Sequence, residues 1–213
     1  MPLQNRVLPS QEIVAVPGRG LLMGNRGSLH DADRRLGTTR WRSKAWLCCV
    51  LDYKGVSRDP MPPGRWTALF FFDEAVALAA GHRPCAYCRR TDFVRYADAW
   101  AGGHDLDERP RAAAMDALLH SQRVESRSRR QRTTRAVLGG LPDGAMIADA
   151  DGPALVVGGQ VRPWSWSGYT TPVQRSPDDE VTVLTPSANL VVLKAGYAPL
   201  LHESALGNKG EPK

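Results

Sequence analysis

Between residues 39 and 53 the hydrophobic positions recur every second place. Trp41, Ala45, Leu47, Cys49 and Leu51 fall on one side; Arg40, Arg42, Lys44, Trp46 and Cys48 fall on the other. A period of two predicts a strand, with the first, largely apolar set toward the core and the basic set outward. The run Trp66-Thr67-Ala68-Leu69-Phe70-Phe71-Phe72 predicts a second strand. Asp73 then suits the N-cap of a short helix through Ala80, and Gly81 stands where a helix-terminating glycine belongs. Thr91 is placed to cap a further helix with Phe93, Tyr96, Ala97 and Trp100 at helical spacing, closed by Gly102-Gly103. Pro110 opens another that carries Met115, Leu118 and Leu119. From Leu141 the pattern turns to short strands, clearest at Leu155–Val157 and Val181–Leu184, with Trp164 and Trp166 sharing one strand face as a core wall or, on the other reading, an aromatic binding surface. A last helix runs from Thr185-Pro186 to Gly196.

The pattern predicts an α+β fold in five stretches. These are an N-terminal arm (1–20), a module of short strands and helices (21–121), an Arg-rich loop (122–136), a small β-rich module with one helix (137–205) and a frayed polar tail (206–213). The 20 glycines and 16 prolines in 213 residues add long loops to that picture. No apolar run approaches the 18 or so residues of a membrane span, and Met1–Arg6 lacks the basic-then-apolar order of a signal peptide. The expectation is a cytoplasmic protein with no membrane partner.

The net charge of +6 is unevenly spread. Residues 1–60 and 111–136 each carry +5, whereas 61–110 carry −1 and 137–213 carry −3. Two positive stretches suit a face that meets a polyanion, the other reading being ordinary solvation. Arg40, Arg42, Lys44 with Trp46, then Arg89 and Arg90, then Arg127, Arg129, Arg130 and Arg132 are the candidate contacts to nucleic acid. Guanidinium groups on a loop read phosphates rather than base edges, which predicts weak sequence preference, with DNA the leading partner.

The four cysteines fall as Cys48-Cys49 and Cys85-x-x-Cys88. Adjacent Cα atoms lie about 3.8 Å apart, below the disulfide range, so Cys48 and Cys49 do not bridge each other. Two thiolates spaced by two residues on a turn bite one Zn²⁺; a redox pair is the competing reading. Neighbours in a strand point to opposite faces, so only one of Cys48 and Cys49 can join them, and alternation selects Cys49. Cys49, Cys85 and Cys88 thus need a fourth ligand, for which Cys48, His30, Asp52, His82 or water are the candidates.

The stretch Phe71–Arg90, with Ala80-Gly81-His82-Arg83-Pro84-Cys85-Ala86-Tyr87-Cys88-Arg89 at its centre, resembles the second half of the Ada-type zinc-binding domain of bacterial methyl-phosphotriester DNA repair proteins. The segment Arg42–Cys49 is similar to that family's strand ending in its first ligand cysteine. The resemblance covers about residues 39–92. It implies zinc held by Cys49, Cys85 and Cys88, a role in DNA repair or regulation, and Cys49 as a methyl acceptor. Tyr53 occupies the position of the family's second cysteine.

Two further functions stay open beside the nucleic-acid reading. One is a metalloenzyme with an open zinc position, or a site built from His30, Asp31 and His120; the other is methyl transfer to Cys49.

Overall fold

A computed structural model describes residues 1–56 and 59–207; the tail from residue 208 onward lies outside the described residues. The fold is α+β, and the described residues form two six-stranded sheets and four α-helices. The first sheet holds β1 (Arg6–Val7), β2 (Ile13–Val14), β3 (Leu22–Asn25), β4 (Leu47–Val50), β5 (Leu69–Phe71) and β6 (Arg83–Pro84), in the order β2-β1-β5-β3-β4-β6. It is mixed: β1 runs parallel to β5 and β4 parallel to β6, while the other pairs are antiparallel. The second sheet is antiparallel throughout. It holds β7 (Thr134–Val137), β8 (Met146–Asp149), β9 (Gly152–Val157), β10 (Gln160–Ser165), β11 (Gly168–Tyr169) and β12 (Glu180–Val183), ordered β11-β10-β9-β8-β12-β7. The helices are α1 (Glu74–Ala79), α2 (Arg90–Gly103), α3 (Ala112–Arg123) and α4 (Ser187–Lys194).

One core crosses between the sheets. Val7, Leu22, Cys48, Leu69 and Phe71 from the first pack with Met146, Leu155, Trp164 and Tyr169 from the second. Phe72 sits at the join, its ring 6.0 Å from Trp164 and 6.1 Å from Trp166. A second cluster, of Leu78, Tyr96, Trp100, Met115, Leu119, Val192 and Tyr197, binds α2, α3 and α4. Helix α1 is too short to be stable alone. It holds because all six of its residues are buried and both ends are capped. Asp73 Oδ1 accepts from the Val76 N–H at 3.0 Å, while Oδ2 accepts from the Tyr169 hydroxyl and the His202 N–H. Gly81 closes it at φ +80°, where a Cβ would stand 2.5 Å from the Arg123 side chain; this position requires glycine twice over.

Several elements differ from expectation for physical reasons. Strand 39–53 shrinks to Leu47–Val50, because Arg40–Ala45 run irregularly and the Arg42 N–H and Arg40 side chain reach the carbonyls of Arg26 and Gly37 instead of a ladder. Trp46 is fully buried and Cys48 is 1% exposed, so the inward and outward faces are the reverse of those the alternation suggested. Thr91 does not cap α2; the helix begins at Arg90 with no side-chain cap. The N-terminal arm is strand-like where β1 and β2 join the first sheet. The Arg-rich stretch is tied down. Arg123 is wholly buried, Arg129 Nη1 donates to Thr38 O at 3.0 Å, and Gln131 Nε2 reaches the carbonyls of Pro9, Ala79 and Leu184. No helix among the described residues is long and apolar enough to cross a membrane.

Candidate functional site

The cysteine site is built by one strand, one turn and one helix start. β4 and β6 pair in parallel, Leu47 opposite Arg83 and Cys48 opposite Pro84, and the Cys85 N–H donates to Cys48 O at 2.9 Å. That register places Cys85 beside Cys49. The turn then closes with Arg89 N–H on Cys85 O, which brings Cys88 round before α2 begins. The sulfurs of Cys49, Cys85 and Cys88 lie within 4.8 Å of one another. Zinc–sulfur bonds of about 2.3 Å in a tetrahedron put sulfurs about 3.8 Å apart, so the three could hold a metal ion with little movement. The Tyr87 N–H points at Cys85 Sγ from 3.5 Å, a backbone donor that supports a thiolate.

Hydrogen bonding with Cys49 first, and then with Cys88, pushes the Cys85 pKa down, and the same hydrogen bond to Cys85 pushes Cys49 up. Three adjacent thiols, one of them with its pKa lowered, are a donor set that a cation completes by displacing protons. The site lies in the wall of a cavity of about 200 Å³ lined also by Asn25, Tyr53, Trp66 and Tyr87. Tyr53 packs on Tyr87 with ring centroids 5.1 Å apart.

Among the described residues, no histidine, carboxylate or further cysteine joins these three. Cys48 faces the core, and burial raises its pKa. His82 is fully buried and committed at both ring nitrogens, to Arg26 Nε at 3.0 Å and Leu47 O at 3.0 Å. His30 Nδ1 meets Thr67 Oγ1 at 2.6 Å and Nε2 meets Pro62 O at 3.1 Å. Asp52 is exposed and accepts from the Gly55 N–H. These four are thereby corrected as fourth ligands. The trio His30, Asp31 and His120 does not assemble either. Asp31 caps its own turn through the Asp33 and Arg35 N–H groups, and His120 lies against Trp41 and Arg123.

The candidate nucleic-acid residues divide. Arg40, Arg42, Lys44, Arg90, Arg127, Arg129, Arg130 and Arg132 are exposed. Trp46 is buried and cannot stack on a base. Arg89 is spent on a bidentate pair with Glu74, at 2.8 and 2.9 Å, and on Asp92. Both are corrected as contacts. The two basic stretches meet: Arg40, Arg129 and Arg130 line one groove of about 560 Å³. Arg26, which sequence reasoning missed, and Arg123, which it placed in the exposed Arg-rich loop, sit beneath it, each with its guanidinium carbon 3.9 Å from the Trp46 ring. Arg26 has no sequence signal of its own, because Gly-Asn-Arg-Gly reads as a turn. Glu74 was also missed, although a carboxylate inside the apolar run Leu69–Ala80 signals a buried partner.

No protein-family model matches this sequence, and no curated protein or solved structure is found to be similar to it.

Proposed function

We propose that this chain is a zinc-stabilised protein that binds nucleic acid, with DNA the leading partner, and that Cys49, Cys85 and Cys88 hold the zinc. The observation that carries the reading is the three-sulfur cluster on a strand–turn–helix. Soft thiolate donors favour zinc over hard cations. When bound, the ion supplies a cross-link between β4 and the start of α2. The chain's own residues do the rest: the Tyr87 N–H supports a sulfur, and the Cys48 carbonyl fixes the Cys85 backbone. The resemblance of residues 39–92 to the Ada-type domain supports the same ligand set and a place in DNA repair or regulation. The exposed arginines around the groove support contact with phosphates.

Purified protein is expected to contain one zinc per chain, and Cys85→Ser to lose it. Zinc-free wild type, with the melting temperature of Cys85→Ser unchanged, removes the metal from the reading. For nucleic acid, replacing Arg127, Arg129, Arg130 and Arg132 by alanine should weaken binding to short DNA. It should also flatten the salt dependence by roughly 0.7–0.9 in log–log slope for each phosphate that is no longer neutralised. An unchanged slope ends the role assigned to these arginines.

The cavity beside the sulfurs favours a second reading, a metalloenzyme with an open position facing the 200 Å³ space. Half-buried Cys49 on the same wall keeps methyl acceptance in view. Incubation with DNA carrying methyl phosphotriesters, followed by mass mapping of Cys49, separates the latter from both others.

A further inference from the structure

Arg26, Arg83, Arg89 and Arg123 are all buried, and they are treated in two ways. Arg83 is met bidentately by Asp116 at 2.8 Å, and Arg89 by Glu74. Arg26 and Arg123 are in no ion pair among the described residues. Arg26, 1% exposed, gives Nε to the His82 ring and Nη1 to the Gln11 carbonyl at 3.2 Å; its buried Nη2 has no hydrogen-bond partner among the described residues. Arg123 reaches the carbonyls of Gly81 and Lys44 and the ring of His120, all of them neutral acceptors. Burying a guanidinium without an anion is costly, and an unpaired donor adds to that cost.

The unanswered charge lies at one place. Arg26 lines the 560 Å³ groove together with Arg40, Arg129 and Arg130, and Glu12 is the one acidic residue among the described lining. The groove is held in shape: Arg129 takes a left-handed backbone, φ +59°, closes a turn onto Glu125 O at 2.8 Å and anchors its side chain on Thr38 O. We propose that this groove is an oxyanion site that takes a phosphate group, separate from the cysteine cluster, with Arg26 at its base and Arg40, Arg129 and Arg130 around its mouth. Guanidinium forks match phosphate oxygens in geometry, and a phosphate supplies the negative charge that Asp116 and Glu74 supply to the other two arginines.

The test is calorimetric titration of the full chain with inorganic phosphate against chloride at equal ionic strength, with melting temperature as a second readout. Phosphate in the millimolar range is expected to bind and to raise the melting temperature. Arg26→Met should weaken binding at least roughly tenfold. Because that variant alters a buried residue, Arg129→Ala with Arg130→Ala, both exposed, provides the second arm and should weaken binding by a similar factor. Absence of phosphate binding, or binding unchanged in the exposed double variant, overturns the proposal. A short single-stranded oligonucleotide then identifies the source of the phosphate. Competition with inorganic phosphate assigns the groove to the nucleic-acid backbone. Phosphate binding with no oligonucleotide binding upholds the site and overturns the nucleic-acid reading. Oligonucleotide binding that phosphate neither mimics nor displaces does the reverse.

Discussion

Two polar regions of the interior, one around Glu74 and one around Trp46, solve the same problem differently. Around Glu74 every charge is answered. Its carboxylate takes both Arg89 Nη atoms, the Tyr197 hydroxyl at 2.7 Å and the Leu200 N–H at 2.8 Å. Burial works against the charge of Arg89, but the pairing with Glu74 outweighs it and raises its pKa. Around Trp46 two guanidiniums share one indole, and their hydrogen-bond acceptors are neutral carbonyls and imidazoles. Burial pushes Arg123 down to about 9 and lowers Arg26 well below its usual value. The first region is a finished structural joint that ties α1 to α2 and to the segment after α4. The second is complete only with an anion from outside.

The contrast is sharpest under mutation. Arg89→Met leaves Glu74 charged and unpaired in the core, and should cost about 3–5 kcal/mol in denaturant unfolding. Arg26→Met removes a charge that no carboxylate answers, and should fall within about 1 kcal/mol of wild type in phosphate-free buffer. Equal losses would abolish the distinction between the two regions.

The neighbouring cysteines divide along the same line. Cys48 belongs to the sealed side, with Arg89 Nη1 at 3.4 Å from its sulfur, and Cys49 to the cavity. If zinc is bound at a hundredfold excess over its dissociation constant, chelation should remove about 2.7 kcal/mol of stability. Cys49→Ser should abolish that effect. Cys48→Ala should retain zinc and lose stability through the small core cavity it leaves and the lost Arg89 contact. Loss of zinc in Cys48→Ala would move the ligand set to the other face of β4.

A smaller effect is expected from pH. His82 is fully buried, and burial first, then Arg26 and Arg123, lowers its pKa well below 6.5. Below the unfolded value the unfolded chain takes up a proton that the folded chain refuses, so this contribution to stability falls as pH falls. The charged groups facing the ring are those two arginines, and Leu47 O is its backbone partner. Between pH 6.5 and 5 the loss should approach about 1.4 kcal/mol per pH unit. His82→Gln should flatten the curve in that window; an unflattened curve would assign the acid loss to other groups.

The residues that chemistry requires locally were the most legible ones. Asp73 and Gly81 bracket α1 as their side chain and backbone freedom demand, and Cys85-x-x-Cys88 sits on a turn. The two positive stretches were visible as charge, and the groove is where they meet. The expected length of β4 and the role of Trp46 failed together. An alternating pattern marks two faces, but it does not say which one a later segment will cover.

The sequence by itself determined that Cys48 and Cys49 point to opposite sides, because the pleat of a strand has a period of two. Only the tertiary structure decided which side is which. The parallel pairing of β4 with β6 brings Cys85 next to Cys49, while Cys48 turns into the core cluster that both sheets and α1 share. The same holds for the arginines. Their number and positive balance are read directly from the chain, but whether a guanidinium is answered depends on residues far away in sequence. Glu74 meets Arg89 across 15 residues and Asp116 meets Arg83 across 33, whereas no described segment brings a carboxylate to Arg26. Local patterns fix direction and charge; long-range packing alone decides which charges are neutralised.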